Sequence, residues 1–318
     1  MSLRLSRRAA VAALPLLLVA GCLPFGRPAS ARFTRAPAPV AAVRLDSVTL
    51  EGGQIVQPVH LRDARGLAVD LLVKRPLATD SGARRPLVLL LGGHHAGRDA
   101  ARLIPDTRGH VVVALSYPYA GPHKVGFFGA LRAAPAIRGA VFDTPPAIRL
   151  ALDWLLAQPW ADSTRVEGIG ASLGTPFMTV AAALDPRITR LWSVHGAGDN
   201  YRLLAHGTRA YVKLKPARSL AVRSAAALVA ARDLDADKWV ARVAPRPFVM
   251  INATEDERLP REAIDKLWTA AREPKEIVWL PGKHVQRNRP EIVRALLDTV
   301  LARMGDGAGP AVGTSGGR

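Results

Sequence analysis

The residues that stand out chemically are Gly170-Ala171-Ser172-Leu173-Gly174, a serine with a glycine two positions away on each side. They follow an apolar run at 165–169 that reads as a strand, and they precede an Ala-rich apolar stretch that reads as a helix. A serine on so sharp a strand-to-helix turn has a strained backbone, and only tiny residues at 170 and 174 leave room for it. The turn pushes the hydroxyl into the open above a helix N-terminus, whose free N–H groups favour developing negative charge. That is the setting of a nucleophile that attacks a carbonyl carbon. A Gly-rich turn with no chemical task is the plain alternative, and the flanking strand and helix argue against it.

Such a serine needs a rigid frame. Short apolar runs at 46–51, 67–74, 86–91, 110–116, 165–170, 188–194, 246–252 and 276–280 are strand candidates. The later ones are continuous, as strands buried on both faces should be. Asp143-Thr144-Pro145 is a helix start signal, and Ile148, Leu152 and Leu155 carry helical spacing towards 157. Other helices are predicted at 173–184, 216–231, 260–272 and 289–304. The alternation predicts an α/β fold with a mostly parallel, eight-stranded sheet covered by helices on both faces. Ligands then bind at the carboxyl ends of the strands.

The stretch 147–174, A-I-R-L-A-L-D-W-L-L-A-Q-P-W-A-D-S-T-R-V-E-G-I-G-A-S-L-G, resembles the helix, connection and elbow of dienelactone-hydrolase-like and prolyl-oligopeptidase-like α/β-hydrolases. A looser likeness runs from about 46 to 304. The resemblance implies a serine hydrolase with its catalytic groups in the chain order Ser, acid, His. After the strand at 247–252, Ala253-Thr254-Glu255-Asp256-Glu257-Arg258-Leu259-Pro260 is similar to the family's acid loop, with Ala253 in place of Gly. Asp256 then orients the base. Glu255 and Asp199 are its rivals. After the last strand, Pro281-Gly282-Lys283-His284 puts a histidine where the family keeps its base, and an imidazole can take the serine proton and return it to a leaving group. Leu91-Gly92-Gly93-His94-His95 sits where the family supplies half of an oxyanion hole, although the His that usually leads this motif is absent. The backbone N–H groups of His94 and Leu173 are the expected donors, with Gly93 as an alternative. His94 and His95 have no third ligand at a matching spacing, so no metal is expected, and no cofactor is implied.

The family places a lid at 197–241, and here it is basic, with Arg202, Arg209, Lys213, Lys215, Arg218 and Arg223. A cationic lid could steer a carboxylate or sugar-acid ester, and it could equally be a solvated face. Tyr117 and Tyr119 could line the pocket mouth. Hydrolysis of a carboxylic ester through an acyl-serine intermediate is the favoured activity. Peptide cleavage, acyl transfer, and a non-catalytic binding lipoprotein on the same fold are the alternatives.

The chain carries 44 Lys and Arg against 26 Asp and Glu, a net charge of +18 that invites a nucleic-acid reading. The cations are dispersed and aromatics make up only 5%, too few for a base-stacking platform, so nucleic acid is not an expected partner. Arg4, Arg7 and Arg8, an apolar run at 9–20 and Val19-Ala20-Gly21-Cys22 make a secretory leader too short to span a bilayer. Small residues ending before a cysteine resemble the lipobox of bacterial lipoproteins. The resemblance implies removal of 1–21, acylation of Cys22, and a membrane anchor on the periplasmic side of the cell envelope. Cys22 is the lone cysteine, so no internal disulfide is possible. Residues 22–43 read as a lipidated, Pro-rich tether, 44–304 as one hydrolase domain, and 305–318 as a disordered tail.

Overall fold

A computed structural model describes residues 30–77, 82–121, 127–209, 212–286 and 288–305. The leader, Cys22, the tether up to residue 29 and the tail from 306 lie outside them. In chain order the elements are α1 (Ser30–Phe33), β1 (Val40–Leu45), β2 (Thr49–Glu51), β3 (Gln54–Asp63), β4 (Ala68–Pro76), β5 (Arg85–Leu91), β6 (Val111–Leu115), α2 (Phe127–Leu156), β7 (Ala161–Ala171), α3 (Gly174–Leu184), β8 (Arg190–Val194), α4 (Asn200–Thr208), α5 (Lys215–Leu228), α6 (Ala236–Trp239), β9 (Phe248–Ala253), α7 (Arg261–Ala270), β10 (Lys275–Leu280) and α8 (Pro290–Gly305).

The ten strands form one sheet in the order β1-β3-β4-β6-β5-β7-β8-β9-β10, with β2 on β3. Strands β6, β5, β7, β8, β9 and β10 run parallel to one another, and the first four strands join antiparallel. The apolar runs divide by strand alternation. Leu87, Leu89 and Leu91 face the layer holding Ile148 and Leu152 of α2 and Met178 of α3. Val88 faces the opposite layer, with Ala100, Ala101, and Leu296 and Val300 of α8. Burial on both faces is why these strands read as unbroken apolar runs.

Three expectations are corrected. The sheet has ten strands rather than eight, because β1 and β3 were not read as strands. Strand β3 carries Pro58, which cannot donate to a ladder and so argues against a strand interior. It pairs all the same, with Pro58 opposite Leu72, and its carbonyl accepts from the Asp46 N–H at 3.1 Å.

The described part of the expected tether, 30–43, is packed. Phe33 is fully buried, its ring 6.2 Å from that of Phe142 and 5.9 Å from that of Trp239. Arg32 pairs with Asp143 at 3.1 Å, and β1 zips onto β3 from Val40 opposite Asp63 to Leu45 opposite Val59. Phe33→Ala is therefore expected to lower the unfolding free energy by about 3–5 kcal/mol in a denaturant titration. A true tether would register no more than about 0.5 kcal/mol.

The helix expected to start at Asp143 instead runs through from Phe127, with Pro145 and Pro146 inside it. The capping groups are otherwise engaged: Asp143 takes Arg32, and the Thr144 hydroxyl donates to the Ala140 carbonyl at 2.6 Å. Burial of Ala133, Ala140 and Phe142 upstream outweighs the hydrogen bonds that Pro135, Pro145 and Pro146 cannot make.

Candidate active site

Five loops that follow the carboxyl ends of parallel strands converge on one spot. Strand β7 ends in the turn carrying Ser172, whose φ of 52° lies in the left-handed region that costs a non-glycine residue energy. The turn is held there by the Ser172 N–H, which donates to the Val194 carbonyl at 2.9 Å, and by the Thr175 N–H, which donates to the Ser172 carbonyl at 3.1 Å. A Cβ at Gly170 would stand 2.7 Å from the Thr175 Cα, and one at Gly174 would collide with the Leu91 carbonyl of β5. Both glycines are therefore steric requirements of the elbow.

The loop after β10 turns at Gly282, with φ 112°, and delivers His284, which is buried. The Ser172 hydroxyl donates to His284 Nε2 at 2.8 Å. On the other side of the ring, His284 Nδ1 donates to Asp256 Oδ2 at 2.7 Å. Asp256 comes from the loop after β9, and its Oδ1 accepts the N–H groups of Arg258 and Leu259, both at 2.9 Å. Burial alone would raise the Asp256 carboxyl, but hydrogen bonds from the His284 imidazole and from the Arg258 N–H hold it well below the usual carboxylate range. An ionised, immobile acid fixes the proton of His284 on Nδ1 and leaves Nε2 as a lone pair facing the serine.

Of the expected acids, the structure brings Asp256 to the imidazole and neither of its rivals. Glu255 is exposed. Asp199 caps α4, accepting the Arg202 N–H at 3.1 Å, and pairs with Lys266 at 3.3 Å. Glu257, not singled out by sequence, holds the His284 loop: its carboxylate accepts the His284 N–H at 2.9 Å and an Arg289 N–H at 2.8 Å. Against the upward push of burial, the His284 N–H, its own backbone N–H and Arg289 draw its pKa down to about 2.

His195 was also missed. It follows β8, is buried with φ 46°, and its ring packs edge-on to that of His284 at 5.3 Å. Its Nδ1 accepts the Val285 N–H at 3.0 Å and lies 3.4 Å from Asp256 Oδ2. The backbone N–H can only donate, so the neutral tautomer that satisfies it keeps its proton on Nε2. His195 thus ties down the residue next to the base, while His284 and the Arg258 and Leu259 amides keep Asp256 ionised. The available signal was position, since a histidine just past a parallel strand is where this topology puts its functional groups. Among the described residues, His195, Asp256 and His284 are the three potential metal ligands that cluster, their atoms within 4.8 Å of one another. Those atoms are already engaged in the hydrogen bonds just described.

His94 and Leu173, the expected oxyanion donors, both line a cavity of about 470 Å³ beside Ser172. Leu173 is the N-cap of α3, so its N–H has no partner within the helix. The Tyr117 hydroxyl donates to the Gly92 carbonyl at 2.7 Å and pins the turn that presents His94. Burial raises the Tyr117 phenol above its ordinary value, so it stays a donor. Tyr119 also lines the cavity. The six lid cations line none of it; Arg202, Arg209, Lys213, Lys215 and Arg223 are exposed and Arg218 half-buried.

No protein-family model matches the chain, and no curated protein sequence matches it. Solved structures do. The chain superposes on an acetyl xylan esterase from Paenibacillus sp. R4 with a TM-score of 0.59 at 16% identity, covering 90% of this chain and 93% of the other. A cold-adapted esterase from an Arctic intertidal metagenomic library gives 0.54 at 18% identity, with 82% and 99% covered. The α/β hydrolase GrgF from Penicillium sp. sh18 gives 0.50 at 17% identity, with 78% and 98% covered.

Proposed function

We propose that this chain, which has the α/β-hydrolase fold, is a serine hydrolase that cleaves a carboxylic ester through an acyl-serine intermediate. One observation carries the reading: the unbroken hydrogen-bond path from the Ser172 hydroxyl through His284 to Asp256, with links of 2.8 and 2.7 Å. Ser172 Oγ attacks the ester carbonyl while its proton passes to His284 Nε2. Asp256 stabilises the imidazolium without taking the proton itself. The N–H groups of His94 and Leu173 receive the tetrahedral oxyanion, a service worth about 3 kcal/mol of barrier per donor. His284 then protonates the leaving alcohol, and water repeats the sequence to free the acid and restore the serine. The esterases among the structural neighbours support ester hydrolysis as the activity.

The test is turnover of p-nitrophenyl esters beside a peptide p-nitroanilide panel, with acid-quenched enzyme read by mass spectrometry. The expected result is ester turnover with an acyl group on the peptide containing Ser172. Cleavage of anilides alone would make the chain a peptidase, and inertness towards both would make it a non-catalytic binder.

A further inference from the structure

The cavity beside Ser172 is walled by apolar side chains from three segments. Ile137 and Val141 come from α2, Leu203 and Leu204 from α4, and Val229 and Leu234 from the segment after α5. Among its described lining residues there is no Lys, Arg, Asp or Glu. Two of its polar groups are turned to structural duty. The Tyr117 hydroxyl donates to the Gly92 carbonyl, and the Asn200 side chain donates to the Ala231 carbonyl at 3.0 Å. A carboxylate or a hydroxyl-rich sugar placed there would lose its water with no Lys or Arg and few polar groups among the described lining to receive it, a cost of several kcal/mol in an apolar site. The lid cations that might have received an anion lie outside this wall.

Chemistry also assigns which half of the ester enters. The leaving oxygen must collect its proton from His284 Nε2, so the alcohol lies on the His284 side of Ser172. The cavity touches Leu173 and His94, on the oxyanion side, and neither Asp256, His284 nor the loops that carry them. From this geometry we infer that the cavity is an acyl pocket, and that the substrates are esters of uncharged, apolar acids of medium length or with an aromatic ring. This rests on the serine-esterase reading above and adds to it the substrate class. At about 470 Å³ the space is that of a small-molecule binding site and far exceeds what an acetyl group fills.

The experiment measures kcat/KM on the full chain for p-nitrophenyl acetate, butyrate, hexanoate and octanoate, and for a hexanoate analogue ending in a carboxylate. Each methylene buried in an apolar site is worth about fourfold. Hexanoate or octanoate is therefore expected to exceed acetate by at least about tenfold, and the carboxylate analogue to fall below hexanoate by at least as much. Leu204→Trp, on the half-buried face of α4, fills part of the cavity and should reduce the hexanoate-to-acetate ratio by about tenfold. Should that variant not fold, the wild-type series decides alone. A preference for acetate, an equal rate for the carboxylate analogue, or an unchanged ratio in folded Leu204→Trp overturns the acyl-pocket assignment. Labelling of Ser172 by a fluorophosphonate separates the two failures. A labelled enzyme that prefers acetate loses only the pocket, whereas an unlabelled, inert one loses the esterase reading as well.

Discussion

His284→Ala is expected to lower kcat for a good ester by roughly a millionfold, about what removal of a base or nucleophile costs in enzymes that use such groups as a unit. The size follows from the geometry. Ser172 Oγ is a poor nucleophile while it holds its proton, and among the described residues the acceptor in contact with it is His284 Nε2 at 2.8 Å. His195 does not take over, because its Nδ1 is committed to the Val285 N–H and its ring stands edge-on behind His284. Comparing kcat of purified variant and wild type on p-nitrophenyl hexanoate checks this. A loss of only tenfold would mean that another group accepts the proton.

Asp256→Asn is expected to cost about ten-thousandfold in kcat. The amide keeps the shape of the carboxylate, and its oxygen can still receive the Arg258 and Leu259 N–H groups. Its NH2 then faces His284 Nδ1, which must accept. The imidazole proton moves to Nε2, and the base that faces Ser172 becomes a donor. The variant also separates Asp256 from Glu255 and Asp199, neither of which contacts the imidazole. Full activity in Asp256→Asn would hand the role to one of them.

The same carboxyl links stability to pH with a defined sign. Its pKa is depressed in the fold, so its contribution is present above the unfolded value near 3.9 and is lost as pH falls through the folded one. Asp256→Asn should therefore be less stable than wild type at neutral pH, with the gap closing in strong acid.

The sequence carried much of this arrangement because the parallel strands are apolar on both faces and the elbow needs glycine at two fixed positions. The fold class and the turn that carries the serine were legible on those grounds, whereas the acid and the base were expected only from the resemblance to α/β-hydrolases. Other features depend on contacts between distant segments, which local patterns do not encode. Phe33 looked like part of a Pro-rich tether because its partners, Phe142 and Trp239, are more than a hundred residues away. Strand β3 was hidden by Pro58, which the surrounding ladder tolerates. The helix start at Asp143 was a real capping signal put to another use, pairing with Arg32. His195 and Glu257 act through Val285 and the His284 amide, contacts visible only once the loops meet. The lid's charges caught the eye in the sequence, yet it turns Asn200 and apolar side chains to the cavity.

On the proposed mechanism, a neighbouring imidazole makes the 172 hydroxyl nucleophilic. The most direct measurement is covalent labelling by a fluorophosphonate, in which Ser172 Oγ bonds to phosphorus and fluoride leaves. Stoichiometric labelling of the native chain, mapped by mass spectrometry to Ser172, is expected, and none in Ser172→Ala. An unlabelled wild-type protein, or a label that persists in Ser172→Ala, contradicts it.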